Sequence, residues 1–540
     1  MQYTSFQFLL FVAITALIYF LFPVKKYQWT ILLIASYYFY LCAGYKFAVF
    51  LVATTVLTYL TALSLDKIAI LGKRTLEVHK TDWDRTQKKE YKNTIKKKKQ
   101  MVAAIAVVIN LGILAFLKYY NFLAENLDGL FLRFGADLTM PALKLMLPLG
   151  ISFYTFQSVG YVIDVYHEKI SAERNLAKFA LFVSFFPQII QGPISFYDQL
   201  AHQLYEPHTV NFTRMKHGAE LILWGFFKKL VIADRAVIAI NTVLDDYTVY
   251  GGTTLLFTIL LYALQLYADF SGGIDISRGV AQILGIDLAQ NFKRPYFATT
   301  INDYWRRWHI TLGAWMKEYV FYPLALSKRF SGFSKNFRKT AFGRSKMGTH
   351  IARVLPTSFA SLVVFLLVGI WHGASWKYVA FGLWNGGVIM LSTLLEPVFE
   401  QITGKLHIPV KSLGFRVFQM FRTFLIVLIG YVFDVAPSFS HAVRTIVHLV
   451  TDQNLRMGYA DLFTLGLNNL DYVLLLCCTA VLFAVSLIQE RNEGKSVRVM
   501  LDEKPFFLRY GLWIVGILTL IFFGIYGPGY DPAEFVYMQF

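Results

Sequence analysis

Two histidines have the side-chain chemistry and surroundings needed to move a proton. His372 lies in Val368-Gly-Ile-Trp-His-Gly-Ala-Ser-Trp376, between two apolar stretches. Imidazole has the one unperturbed pKa near neutrality, so it suits removal of a proton from a hydroxyl. Gly369 and Gly373 permit close approach of backbone or ligand, and Trp371 and Trp376 supply an aromatic wall. The competing interpretation is an interfacial histidine bonded to a backbone carbonyl. His309 lies in Asn302-Asp-Tyr-Trp-Arg-Arg-Trp-His-Ile-Thr-Leu-Gly-Ala-Trp315, whose spacing predicts an amphipathic helix. On that helix Trp305, Trp308, His309 and Leu312 share a face, with Arg306 largely on another. An interface-anchored helix with its arginines among headgroups fits the same pattern. The other nine histidines fall in loops or at the edges of apolar runs.

Two further clusters are polar where apolar residues dominate. Asp269, Ser271, Asp275 and Ser277 follow an apolar run. Buried carboxylates must be paired, and Lys228, Lys229 and Arg278 are the candidate partners, so a structural polar knot competes with a direct role. Phe186-Pro-Gln-Ile-Ile-Gln-Gly-Pro193 reads as a kinked segment whose amides, Gln188 and Gln191, face a cavity. No phosphate-binding loop, H-E-x-x-H zinc motif or G-x-S-x-G elbow is present, which removes support from ATP-driven transport, zinc proteolysis and serine hydrolysis. Cys42, Cys477 and Cys478 sit in apolar runs without metal-ligand or disulfide spacing.

The elements that position these residues are membrane spans. Of 540 residues, 56% are hydrophobic and 16% charged, against about 25% charged in soluble domains. Runs such as 6–22, 101–119 and 511–525 approach the roughly 20 residues that cross a bilayer core. The first is read as a span, since no small-residue cleavage site follows a basic stretch. The net charge of +18 suggests an anionic partner, but basic residues concentrate where cytoplasmic loops would be, so no nucleic-acid partner is expected.

Residues 66–100 hold twelve Lys/Arg, and residues 328–353 hold eight with no acid; both are expected as cytoplasmic loops. Spans at 7–22, 29–44 and 47–65 place the N-terminus outside. Spans at 355–371, 376–395, 417–433, 472–489 and 511–527 leave residues 434–471 as an extracytoplasmic loop and the C-terminus outside. Residues 121–327 are less regular: five apolar stretches carry Lys228, Lys229, Arg235, Arg278, Arg306 and Arg307 in or beside them. Some of these stretches are expected to re-enter or lie in the interface, because irregular polar backbone at membrane depth must be buried or line a watery cavity. The expectation is one all-α, membrane-embedded domain over residues 1–540, multi-pass, of transmembrane and re-entrant helices.

Five motifs in order resemble the membrane-bound O-acyltransferase (MBOAT) family, in the bacterial branch of alginate and peptidoglycan O-acetylating and teichoic-acid D-alanylating proteins. They are Leu147-Pro-Leu-Gly-Ile-Ser-Phe-Tyr-Thr-Phe156, Phe186-Pro-Gln-Ile-Ile-Gln-Gly-Pro-Ile194, Asp269-Phe-Ser-Gly272, Trp305-Arg-Arg-Trp-His-Ile310 and Trp371-His-Gly373. The terminal residues 530–540 look like the alginate-type branch, so the resemblance favours acetyl. It implies a ring of helices around a central tunnel in a bacterial inner membrane. His372 stands at the family's catalytic histidine and His309 at its second polar position. Trp305, Trp371, Asp269, Ser271, Gln188, Gln191 and Asn302 are candidates to line the tunnel or bind substrate.

No bound cofactor or metal is implied. The acyl donor would be acetyl-CoA or an acyl-carrier-protein thioester on the cytoplasmic side. The acceptor would be a polysaccharide or an extracytoplasmic SGNH-type partner transferase, with membrane lipid around the protein. In this scheme His372 is the general base and His309 orients or polarises the acyl carbonyl. D-alanyl transfer to teichoic acid, a transporter or flippase of a surface-polymer precursor, and an inactive recruiting scaffold are the rival readings.

Overall fold

A computed structural model of the chain describes residues 1, 3–136, 139–452, 462–492 and 495–526. Every regular element among the described residues is helical. Among the described residues, seven helices are long and apolar enough to cross a membrane. An eighth crossing forms if Trp376–Leu394 and Glu396–Lys405, bent 59° at their junction, make one broken span. Four of the five spans expected in the C-terminal half are among the seven, and the fifth, 376–395, is the first half of that bent pair. Phe6–Leu21 and Gln28–Leu41, with 16 and 14 residues, reach only about 24 and 21 Å at 1.5 Å per residue. Among the described residues of 121–327, Gly252–Ile283 is the one helix lying wholly within the range that is long enough to cross. Beyond the end of Arg85–Arg133, the other helices there are short, with π-helical turns at Phe227–Ala233 and Lys317–Phe321.

The basic stretch 66–100, expected as a loop, is helical on both sides of a short turn. Tyr45–Val78 continues through it for 34 residues, and Arg85–Arg133 begins inside it and runs for 49. Lys, Glu and Gln are good helix formers. A capping box of Asp84 and Gln87 satisfies the first backbone donors of the second helix. Residues 328–353 likewise hold a helix, Lys328–Phe337, and the start of Lys346–His372. Residues 434–471 contain Phe439–Thr451; positions 453–461 of that expected loop, and the terminal residues 530–540, lie outside the described residues.

The helices pack as two compact units: Met1–Ile222 with Ser277–Ala289, and Leu223–Ile276 with Gln290–Phe540. The first unit is built on Ile151–Tyr166, thirteen of whose 16 residues are buried. Tyr45–Val78 offers it a small-residue face of Thr54, Thr55, Thr58, Thr61 and Ala62. Just past Ile151–Tyr166, Glu168 bridges Lys73 and Lys99 of the two long helices, both at 2.6 Å.

The second unit contains both candidate histidines. Its main helix pair is Lys346–His372 against Trp376–Leu394. The two backbones approach so closely that a Cβ at Gly369 would lie 2.2 Å from the Tyr378 carbonyl oxygen. Only glycine fits there, and this contact sets where the helix ending in His372 comes to rest.

Candidate active site

His372 is the last residue of Lys346–His372 and is buried, 7% exposed. Its ring packs on Phe381 at 5.3 Å and lies parallel to Tyr378 at 6.1 Å. Gly373 makes this possible, since a Cβ there would fall 2.3 Å from the Tyr378 ring.

His309 is not in the middle of the expected amphipathic helix. That segment breaks into Ile301–Arg307 and Ile310–Met316, with Trp308 extended and His309 left-handed (φ 46°, ψ 52°). The cause is competition for backbone hydrogen bonds. In a continuous helix the Thr311 N–H would donate to the Arg307 carbonyl. Instead Arg307 O accepts from Lys293 N at 2.9 Å, and Thr311 N donates to Asn291 Oδ1 at 3.0 Å. The Thr311 hydroxyl donates to the same oxygen at 3.0 Å, and Ile310 N to the Asn291 carbonyl at 3.0 Å. Asn291, fully buried, is therefore a clamp that holds His309 in a conformation a non-glycine residue rarely adopts.

The clamp also sets the proton on the ring. Because Thr311 N–H can only donate, the atom it faces is the amide oxygen. His309 Nδ1, 3.3 Å from that oxygen, must then be the N–H, which leaves the lone pair on Nε2. His309 is 2% exposed and lies outside the helices long enough to span. Burial, with the imidazole of His372 nearby, holds its pKa well below the usual histidine range and keeps the ring neutral at pH 7.

Both imidazoles lie against one indole. Trp371 is 5.8 Å from the His309 ring and 5.2 Å from the His372 ring. Phe270 packs edge-on to His309 at 4.9 Å. Its neighbours in sequence are pinned: Lys229 pairs with Asp269 at 2.6 Å and with Asp234 at 2.9 Å. Lys228 binds the Ser271 hydroxyl at 2.8 Å and Asp275 at 2.7 Å. All these charges but Asp275 are at most 3% exposed. Asp269 and Ser271 thus belong to a buried ionic knot whose geometry presses Phe270 onto His309; Arg278 donates to the Leu288 carbonyl.

Trp305 donates to Asn385 Oδ1 at 3.1 Å and packs on Phe381, the ring that touches His372. Asn302 is exposed and is not brought to the histidines. Gln188 and Gln191 are buried in the first unit. Gln188 spans the Phe182 carbonyl (3.1 Å) and the Ser195 hydroxyl (3.0 Å). Both amide atoms of Gln191 are buried without a hydrogen-bond partner among the described residues. Sequence reading missed Asn291. It stands 18 residues before His309, and no spacing rule links a loop asparagine to a histidine at that distance.

The amino-acid sequence is also similar to known proteins. The family model for MBOAT, the membrane-bound O-acyltransferase family, matches residues 167–341, which include His309 and the ionic knot. A protein of Pseudomonas syringae pv. tomato named probable alginate O-acetylase AlgI is 31% identical over 409 residues, 76% of this chain and 67% of that one. A peptidoglycan O-acetyltransferase of Helicobacter pylori is 28% identical over 445 residues, covering 78% and 73%. A teichoic acid D-alanyltransferase of Bacillus subtilis is 26% identical over 261 residues, covering 46% and 59%. The chain belongs to the membrane-bound O-acyltransferase family. It is a polytopic membrane protein and an acyltransferase.

Proposed function

We propose that this enzyme moves an acetyl group from a cytoplasmic thioester through a tunnel to a hydroxyl outside the membrane, for O-acetylation of a cell-surface polysaccharide. A thioester donor such as acetyl-CoA is highly charged and cannot cross lipid, whereas an acetyl group needs only a narrow passage. Two O-acetylating relatives align over about three quarters of the chain, against under half for the D-alanyltransferase, which favours acetyl over D-alanyl. The observation that carries the reading is the convergence of His372 and His309 on Trp371.

In this reading His372 takes the proton of the acceptor hydroxyl as its oxygen attacks the thioester carbonyl. The tetrahedral intermediate collapses with loss of the C–S bond, and the proton passes to the departing thiolate. A positioned base contributes about 10² to 10⁴-fold. His309, with its lone pair on Nε2, accepts rather than donates a hydrogen bond. It therefore suits the orientation of an incoming hydroxyl, and polarising the carbonyl would require a protonated ring, which burial opposes. The acceptor is a polysaccharide hydroxyl or the serine of an SGNH-type partner. The membrane is the bacterial inner membrane, with both termini outside, as the basic stretches prefer.

The test is His372→Ala in cells, with insertion checked and surface glycan analysed by mass spectrometry. Loss of ester-linked acetyl with polymer export intact is expected. Lost export with acetyl per polymer unchanged would instead indicate a transporter. Wild-type acetylation would rule out His372 as the base.

A further inference from the structure

The second unit has a cavity of about 780 Å³ outside the histidine site, between the Leu413–Val435 and Asn469–Arg491 helices and the turn at Pro295–Phe297. One end is charged. Arg416 lies in the first turn of one helix and Arg491 ends the other, so the two sit at the same membrane face. Arg294 and Glu490 complete that end: three guanidinium groups against one carboxylate, an excess of two positive charges. Glu490 is already engaged by Arg294 at 2.6 Å, Arg307 at 3.1 Å and Arg416 at 3.6 Å. Arg294 is held left-handed (φ 48°) just before Pro295, with its side chain only 11% exposed. Unfavourable backbone of that kind is characteristically retained at functional sites.

The remainder of the wall is mostly apolar, broken by the hydroxyl-bearing Thr479, Ser486, Tyr267 and Tyr296, and much of it faces outward. Val417, Phe421 and Phe483 are 55–61% exposed, a surface that in a membrane meets lipid rather than water. From Arg416 to Phe424 and from Thr479 to Arg491 the walls run about 12 and 18 Å along their helices. That matches one leaflet of a hydrocarbon core about 30 Å thick. A ligand charged along its length, such as coenzyme A, would leave anionic groups against phenylalanine; a ligand charged at one end only would not.

We propose that this cavity is a binding site for one anionic phospholipid, with its phosphate on Arg416, Arg491 and Arg294 and an acyl chain along Val417, Phe421 and Phe483. The site is independent of the acyl-transfer chemistry. Arg294 and Arg307 anchor Glu490, so the lipid-specific residues open to change without loss of that anchor are Arg416 and Arg491.

Native mass spectrometry of the full chain in detergent tests this, with phosphatidylglycerol and phosphatidylcholine of equal chain length as probes. The wild type is expected to retain one phosphatidylglycerol in preference to phosphatidylcholine. Arg416→Gln with Arg491→Gln should weaken its retention roughly 30-fold, from the usual contribution of two basic residues at a lipid surface. Val417→Trp, which fills the groove and leaves every charge in place, should also abolish retention. Equal retention of the two lipids would overturn the proposal, as would either variant binding phosphatidylglycerol like the wild type. Displacement of the lipid by acetyl-CoA, with a raised KM for acetyl-CoA in the double variant, would assign the cavity to the acyl donor instead.

Discussion

Asn291→Ala should damage catalysis more than stability, because Asn291 holds the backbone at His309 without touching the reacting atoms. The substitution removes the acceptor for the Thr311 N–H, the Thr311 hydroxyl and His309 Nδ1. The Thr311 hydroxyl rotates and the released His309 ring turns away, so the Thr311 N–H is the one buried donor left unsatisfied, at about 1–3 kcal/mol. Release of His309 from its left-handed conformation returns part of that, since such a conformation itself costs about 1–3 kcal/mol. The net loss of stability is expected near 1 kcal/mol. Activity has no such offset: a displacement of about 1 Å in a positioned group costs on the order of 10²-fold. Acetyl transfer by purified protein, with thermal unfolding in the same detergent, reads both.

Asn291→Asp sharpens the test. It keeps an acceptor for Thr311 but places an anion at His309 Nδ1, which favours the imidazolium and raises the His309 pKa from its depressed value. At neutral pH more of the ring then carries a proton on Nε2, so activity falls, and it recovers as pH rises and that proton leaves. The acid limb of the pH–rate profile should move upward. An Asn291→Ala enzyme with wild-type turnover, or an Asn291→Asp profile superimposable on the wild type, would refute a positioning role for the clamp.

Lys229→Met leaves Asp269 and Asp234 buried without their shared cation; the cost is expected at about 3–5 kcal/mol, seen as loss of folded protein on size-exclusion chromatography. Gln191→Leu removes two buried amide atoms that lack partners among the described residues and should hold or raise thermal stability by up to about 1–3 kcal/mol, whereas a drop would show that they are satisfied by bound water. Gly369→Ala forces a Cβ to within 2.2 Å of the Tyr378 carbonyl and must push apart the two helices that carry His372 and Tyr378, so acetyl transfer should fall even in protein that inserts and folds.

Much of the fold was legible because its signals are local. A run of apolar residues bounded by charge is a span wherever it occurs, and the five C-terminal helices fall where hydropathy and charge place them. The basic stretches were legible as charge but not as shape: 66–100 reads as a solvated loop, yet its Lys and Glu residues are strong helix formers and extend two spans through it. His372 was legible through its flanking glycines and tryptophans. The partners of Asp269 and Ser271 were legible as candidates only, since three cations were available and packing decided that Lys229 meets Asp269 and Lys228 meets Ser271.

By itself, then, the sequence determined an all-helical membrane protein with imidazoles at its two best chemical positions, because periodicity, hydropathy and residue type act over a few neighbours. Tertiary structure alone decided the state of His309. Its segment is helical by pattern, and only the distant Asn291 and Lys293 take the hydrogen bonds that a continuous helix needs. A backbone N–H is satisfied by whichever acceptor folding brings within about 3 Å, and no sequence-local pattern contains that choice.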